Sequence, residues 1–353
     1  MERVRSLRQS RCWVLLIRPV LFLVVSFLVA RLLISLVGSI DWAQVGTALG
    51  KLEWAQLLPL LALLLLRQTF NAVPLAVFIP GLGFWRGFQN DLTANLVGTV
   101  APPPGDIVVR VAMFRSWGVP PGDGMPGVTL NSLAFYVIRF GIPIVGVLLL
   151  VGEDLSTAQI WSAVLSLAVA AAIVVTLVLV ARGERVARLV GRRAAEIAAR
   201  FREGVDPATW EEAVSRFRER MSTRLVRGLP PSLLALTAMV VTDGLIVLLS
   251  LRLVGVDAAA LPLAIVLGSF FVAYPLTALP LAGLGVMDAA LIVAYTETAG
   301  VEAEPEIVAA LVVWRLVTIL GTLLLGTGTL GWWRWRTGSG RLPSPDAEEA
   351  STS

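Results

Sequence analysis

Three consecutive prolines in an otherwise apolar stretch set the strongest limit on how this chain can fold. Asn95 to Arg110 reads NLVGTVAPPPGDIVVR. A continuous helix cannot run through Pro102, Pro103 and Pro104, because proline removes the donors that interior positions need and its ring clashes with the preceding turn. Unpaired backbone is not tolerated in lipid, so a break at membrane depth must be buried in protein or line a polar cavity. The stretch therefore predicts a hairpin of two half-helices, roughly Phe88 to Val100 and from Asp106 onward, broken at Pro102, Pro103, Pro104 and Gly105. Asp106 is expected at the N-cap of the second half-helix, with Arg110 four residues on along the same face.

The membrane setting follows from composition. Hydrophobic residues make up 56% of the 353 and charged residues only 15%, and several apolar runs exceed the length that crosses a bilayer. The fold class expected is an all-α polytopic membrane protein. The formal charge of +4 calls for no nucleic-acid partner, since Arg at the cytoplasmic ends of helices accounts for it. One cysteine, Cys12, excludes an intrachain disulfide, and the lack of histidine removes the usual zinc and general-base chemistry. No metal site, cofactor or nucleotide-binding motif is expected, and no catalytic constellation is visible, so an enzyme is the less favoured class.

Along the chain, Trp13 to Gly38 is expected to be a retained first helix with a cytoplasmic N-terminus. Ser39 to Trp54 is expected to be an external loop. Helices are expected at about Gln56–Ile79 (with Arg67 and Asn71), Gly127–Val151 (with Arg139) and Thr157–Val180. Gly118 to Pro126 is expected to be a turn.

Residues 181–228 hold twelve Arg against seven acids, which predicts a cytoplasmic, amphipathic linker able to meet anionic lipids of the inner leaflet. Asp206-Pro207 separates its two apolar stripes as a cap and first-turn proline. A packed charged linker is the competing account. A fifth helix is expected at Leu229–Leu251 with Asp243. Then PLAGLGVMDAALIVAY, Pro280 to Tyr295, again joins proline and glycine (Pro280, Gly283, Gly285) to an acid, Asp288. The last helix, from Pro305 to about Gly331, ends in WWRWR, an aromatic belt with positive charge that places the C-terminus in the cytoplasm. One integral domain is expected over 1–335, with a disordered tail over 336–353.

This layout predicts six full crossings and two re-entrant hairpins of opposite orientation. Inverted repeats of that kind hold transporter sites near the midplane. The alternative is eight crossings, since Leu261 to Leu279 is long enough to span. Arg67, Arg110, Arg139 and Arg315 lie in or beside membrane segments against Asp106, Asp243 and Asp288, which leaves one arginine in surplus. Ionisable groups in hydrocarbon are paired or face a pathway, and guanidinium binds phosphate through two oxygens. These residues, with Asn95, are the expected contacts of a phosphate-bearing ligand. Structural Arg–Asp pairs explain the same inventory without one.

Gly105-Asp106 with Arg110, Pro280, Gly283-Leu284-Gly285 with Asp288, and Trp314-Arg315-Leu316-Val317-Thr318 resemble the lysylphosphatidylglycerol synthase transmembrane region family, the flippase-like membrane proteins. The similarity covers roughly Val14 to Trp333. It implies a cell-membrane protein related to the domain that flips aminoacylated phosphatidylglycerol, and to members linked to lipid-carried glycans. The ligands it implies are an anionic phospholipid or a polyprenyl-phosphate-linked glycan. Both motif glutamates are aspartate here, which keeps the charge and shortens the reach. Fewer than twenty residues follow Trp335, so the soluble aminoacyltransferase domain of the family is not expected, nor is lipid aminoacylation. The function expected is a flippase of a phosphate-bearing lipid or lipid-linked precursor. The alternative is a non-transporting scaffold for a membrane enzyme partner of envelope lipid or glycan synthesis.

Overall fold

The computed structural model describes residues 42–50, 53–101, 104–152, 157–182, 192–193, 207–279 and 283–338. Those residues are helical throughout, without a β-sheet, and we number the α-helices in chain order. They are α1 (Trp42–Gly50), α2 (Leu57–Phe78), α3 (Phe84–Val100), α4 (Gly105–Ser116), α5 (Pro121–Gly141), α6 (Pro143–Leu149) and α7 (Thr157–Arg182). After these come α8 (Pro207–Val254), α9 (Leu263–Ala273), α10 (Val286–Ala299), α11 (Glu304–Arg315) and α12 (Gly321–Thr337). A π-helical turn, Leu316–Leu320, joins α11 to α12.

Four stretches among the described residues are long and apolar enough to cross a membrane: Leu57–Phe78, Pro121–Leu149, Arg227–Val254 and Val301–Thr337. Their exposed surface is itself apolar. On α2, Leu60, Leu64, Ala72 and Leu75 are buried at helical spacing while Leu58, Leu61, Leu65 and Leu66 face outward. A helix hydrophobic all round suits a bundle whose solvent is lipid. The most extensive helix pair among the described residues is α2 with α8, and α11 also packs on α8.

The chain breaks where the prolines and glycines predict. α3 ends at Val100 and α4 begins at Gly105, and the two lie against each other. Pro102, Pro103 and Pro280 fall outside the described residues. The second break runs from the 3-10 turn Tyr274–Ala278 to Val286, with Gly283 and Gly285 at φ +68° and +84°. Side chains with a Cβ rarely adopt such values. α10 turns back on α9, and the hydroxyl of Tyr295 donates to the carbonyl of Val266 at 3.0 Å.

Several expectations need correction. The loop expected over Ser39–Trp54 contains α1, which packs on α11 and buries Val45. The turn expected over Gly118–Pro126 ends at Pro120. α5 starts at Pro121, where a first-turn proline loses no required donor. α3 begins at Phe84 rather than Phe88. Of the two amphipathic stretches expected between 181 and 228, the first lies outside the described residues apart from positions 181–182 and 192–193. The second is the leading part of α8, which continues past Pro230 and Pro231 into the membrane-length segment. The first expected helix, Trp13–Gly38, and the tail beyond Gly338 also lie outside the described residues.

Close helix approach depends on small residues. A Cβ on Gly146 of α6 would stand 2.7 Å from the carbonyl oxygen of Gly268 on α9. Gly146→Leu should therefore lower the detergent melting temperature, by overpacking of about 1–3 kcal/mol. Gly331→Leu, in open space, should leave it unchanged. A size-exclusion thermal-shift series on the two variants checks this.

Candidate functional site

The site is assembled from polar residues on one turn of α2. Arg67, Gln68 and Asn71 each reach a different helix, because successive positions on a helix point about 100° apart. The Arg67 guanidinium pairs with Asp243 of α8 at 3.2 Å, and the Trp314 indole of α11 donates to the same carboxylate at 2.9 Å. Gln68 donates to Thr322 of α12 at 2.6 Å. Asn71 donates to Asp91 of α3, also at 2.6 Å.

Asp91 is a hub. It accepts from Asn71, from Asn95 one turn along α3 at 3.0 Å, and from Arg110 of α4 at 3.3 Å. Arg110 donates a second time, to Asn90 at 2.7 Å. With 6% of its surface exposed, Asp91 would be costly in hydrocarbon without these partners. It ties α2, α3 and α4 together and holds the first broken pair closed.

The second broken pair is held differently. Asp288 accepts from the amide of Gly285 at 2.7 Å, closing the start of α10, and receives Arg315 through Nε at 2.8 Å and Nη2 at 3.1 Å. One carboxylate thus caps a half-helix and takes a two-pronged guanidinium. Asp106 does neither among the described residues. The N-cap of α4 is Pro104, which has no side-chain cap, and Asp106 lies within the first helical turn. Arg110 is directed to α3 instead of Asp106, so the expected intrahelical partner is replaced by Asp91 and Asn90.

Sequence reasoning missed Asp91. Its signal was present in the helical spacing of Asn90, Asp91 and Asn95, polar residues in a half-helix that must find internal partners. Including Asp91 also changes the charge count. Four arginines now face four acids, and the surplus becomes a local property of one cavity.

That cavity, about 450 Å³, lies between α2, α3, α4, α5, α8 and the turn into α12. Arg67, Arg110, Arg139, Asn95 and Asp91 line it. Its rim includes Thr99, Ser132, Tyr136 and Ile319, which are exposed on the bundle surface. Arg67 and Arg110 carry their own acids. Arg139 makes no ion pair with an acid among the described residues: its guanidinium stacks 4.5 Å from the Phe135 ring centre and 5.3 Å from that of Tyr136. Its Nε and the Oδ1 of Asn131, both buried beside the cavity, have no hydrogen-bond partner among the described residues. Arg315, Asp288 and Asp106 lie outside the lining.

A polytopic helical membrane protein with a cationic cavity between broken helices is the class that fold and site define. The model of the family described as "Lysylphosphatidylglycerol synthase TM region" matches residues 20–326. The chain belongs to that family, and family and fold together support a flippase-like, lipid-transport membrane protein. No curated protein and no solved structure gives a match.

Removing Asp91 strands Arg110 in a poorly solvated setting. Asp91→Ala should lower stability by about 3–5 kcal/mol, the cost of breaking a buried pair from one side. Asp91→Ala/Arg110→Leu should recover part of that loss. A double-mutant cycle of thermal melts in detergent gives the coupling.

Proposed function

We propose that the protein moves a phosphate-bearing lipid or lipid-linked precursor across the cell membrane, with the head-group phosphate held in the cavity at Arg139. The observation that carries this reading is Arg139 itself: a guanidinium on a cavity wall, oriented by two aromatic rings and without an acid of its own. Phosphate supplies a charge and paired oxygens to such a group. Arg110, Arg67 and Asn95 add polar edges, while the pairing of Arg110 and Arg67 with Asp91 and Asp243 keeps the site from accumulating unbalanced charge. Arg315 and Asp288 act at a distance, fixing the second break against α11. A fully packed bundle centre would have favoured the scaffold alternative; the cavity favours transport.

The proposed topology has six crossings and two re-entrant pairs, α3–α4 and α9–α10, entering from opposite sides. Helix lengths support it. α4 and α9 extend about 18 Å and about 16 Å at 1.5 Å per residue, well short of a hydrocarbon core of about 30 Å. In this arrangement both termini and the Arg-rich 181–228 segment lie in the cytoplasm, in agreement with the positive-inside rule. Residues 1–335 then form one membrane domain, followed by a short tail. In a Cys12-free background, a cysteine at Ser215 should resist an impermeant thiol reagent in intact cells, and one at Thr157 should be labelled. The reverse pattern overturns the orientation.

Transport is tested in liposomes. Purified protein should accelerate exchange of a fluorescent phosphate-bearing lipid between leaflets, in parallel trials of phosphatidylglycerol, its aminoacylated form and a polyprenyl-phosphate glycan. Arg139→Gln should reduce that rate at least tenfold with an unchanged melting temperature. Arg139→Lys should restore it only in part, because an ammonium keeps the charge and loses the planar fork. Folded, monodisperse protein that moves none of the three faster than empty liposomes, with or without an ion gradient, refutes the proposal.

A further inference from the structure

A second cavity, about 930 Å³, lies farther along the same two helices, α3 and α12, toward the tryptophan-rich end of α12. Its lining includes two cations, Arg86 and Arg336, and no acid. Neither makes an ion pair among the described residues, and the Arg336 guanidinium stands 4.8 Å from the ring centre of Trp332. Trp333, also in the lining, is oriented by an indole hydrogen bond to Ser116 of α4 at 2.9 Å. At the other end of the lining the surface becomes aliphatic, with Leu324 and Leu325.

This order of chemistry identifies the occupant. From Leu325 to Arg336 along α12 is about 16 Å at 1.5 Å per residue. Over that length the wall passes from aliphatic to indole to guanidinium. Indole rings favour the membrane–water interface, and arginine binds phosphate. A soluble anion would use only the cationic end. A phospholipid with a net negative head group fits the whole length, with phosphate between Arg86 and Arg336 and its chains along the leucines.

The groove is separate from the central cavity. Between them α3 and α12 meet in a closed seam, where a Cβ on Gly326 would stand 2.7 Å from the carbonyl oxygen of Leu92 and the hydroxyls of Thr93 and Thr329 lie 3.1 Å apart. We infer that the Arg86–Arg336 groove is a binding site for one anionic phospholipid molecule, occupied from the surrounding leaflet whether or not the central cavity transports.

Tryptophan quenching in nanodiscs tests this without a transport readout. At equal mole fraction in a phosphatidylcholine background, brominated phosphatidylglycerol should quench the protein more than brominated phosphatidylcholine of the same chains. The excess should saturate. Arg86→Gln/Arg336→Gln should weaken it about tenfold, the scale of one lost charge-assisted contact. Gly328→Phe, which places a ring in the open groove while keeping both charges, should also abolish it, and this variant decides the matter if the double variant melts early. Arg139→Gln should leave the excess intact. Equal quenching by the two lipids, or an excess unaffected in the folded groove variants, overturns the inference. Displacement by millimolar inorganic phosphate would also overturn it, marking a site for the free ion. Loss of the excess in Arg139→Gln would assign it to the central cavity instead.

Discussion

Charge inside a lipid-facing bundle has to be matched where it stands, and the contact between Arg67 and Asp243 is where this requirement organises the structure. It lies in the largest helix interface, between α2 and α8, and the indole of Trp314 extends it to α11. Asp243 is 4% exposed, so its charge is stabilised by those two neighbours rather than by water. With α2 fixed in rotation by Arg67, Gln68 must face α12 and Asn71 must face α3. The polar lining of the central cavity follows from that one constraint.

Matching proceeds outward from α2 and, around the central cavity, is incomplete among the described residues at Arg139. Asp91 satisfies Asn71, Asn95 and Arg110, and Asp288 satisfies Arg315. Arg139 has aromatic faces instead of a carboxylate. Cation–π contact offsets part of the cost of holding a guanidinium away from water, while leaving its donors for another acceptor. The bundle can thus hold a cation ready for a ligand without leaving it unsupported.

The sequence made the breaks and the membrane helices legible, because both depend on local rules. Clustered proline and glycine interrupt the helices at both breaks, whereas the isolated Pro74 and the pair Pro230-Pro231 are carried inside α2 and α8, and apolar length is readable without tertiary information. The Asp288 cap is local in the same sense, since its bond to the Gly285 amide spans three residues. Partner choice is not. Arg110 and Asp106 lie four residues apart on one helix, yet Arg110 turns to Asp91 and Asn90, nineteen and twenty positions back in the chain, because the hairpin presents two polar groups there at once. α1 leaves little trace in the sequence, because a nine-residue helix carries little periodic signal and its packing against α11 is a long-range contact.

The π-turn at Leu316–Leu320 gives the last helix an uncommon mechanical property. Its wider hydrogen bonds, such as the amide of Gly321 to the carbonyl of Leu316, accommodate one residue more than the regular spiral would. Such a surplus is a dislocation in a one-dimensional lattice. Residues beyond it are turned by about 100° relative to an unbroken α-helix, the angle of a single residue. Trp314 and Arg315, anchored on Asp243 and Asp288, lie on one side of the defect, and Thr322, bonded to Gln68, lies on the other. The extra residue thus sets the rotational phase between the end of the helix held at Trp314 and Arg315 and the end that meets Gln68.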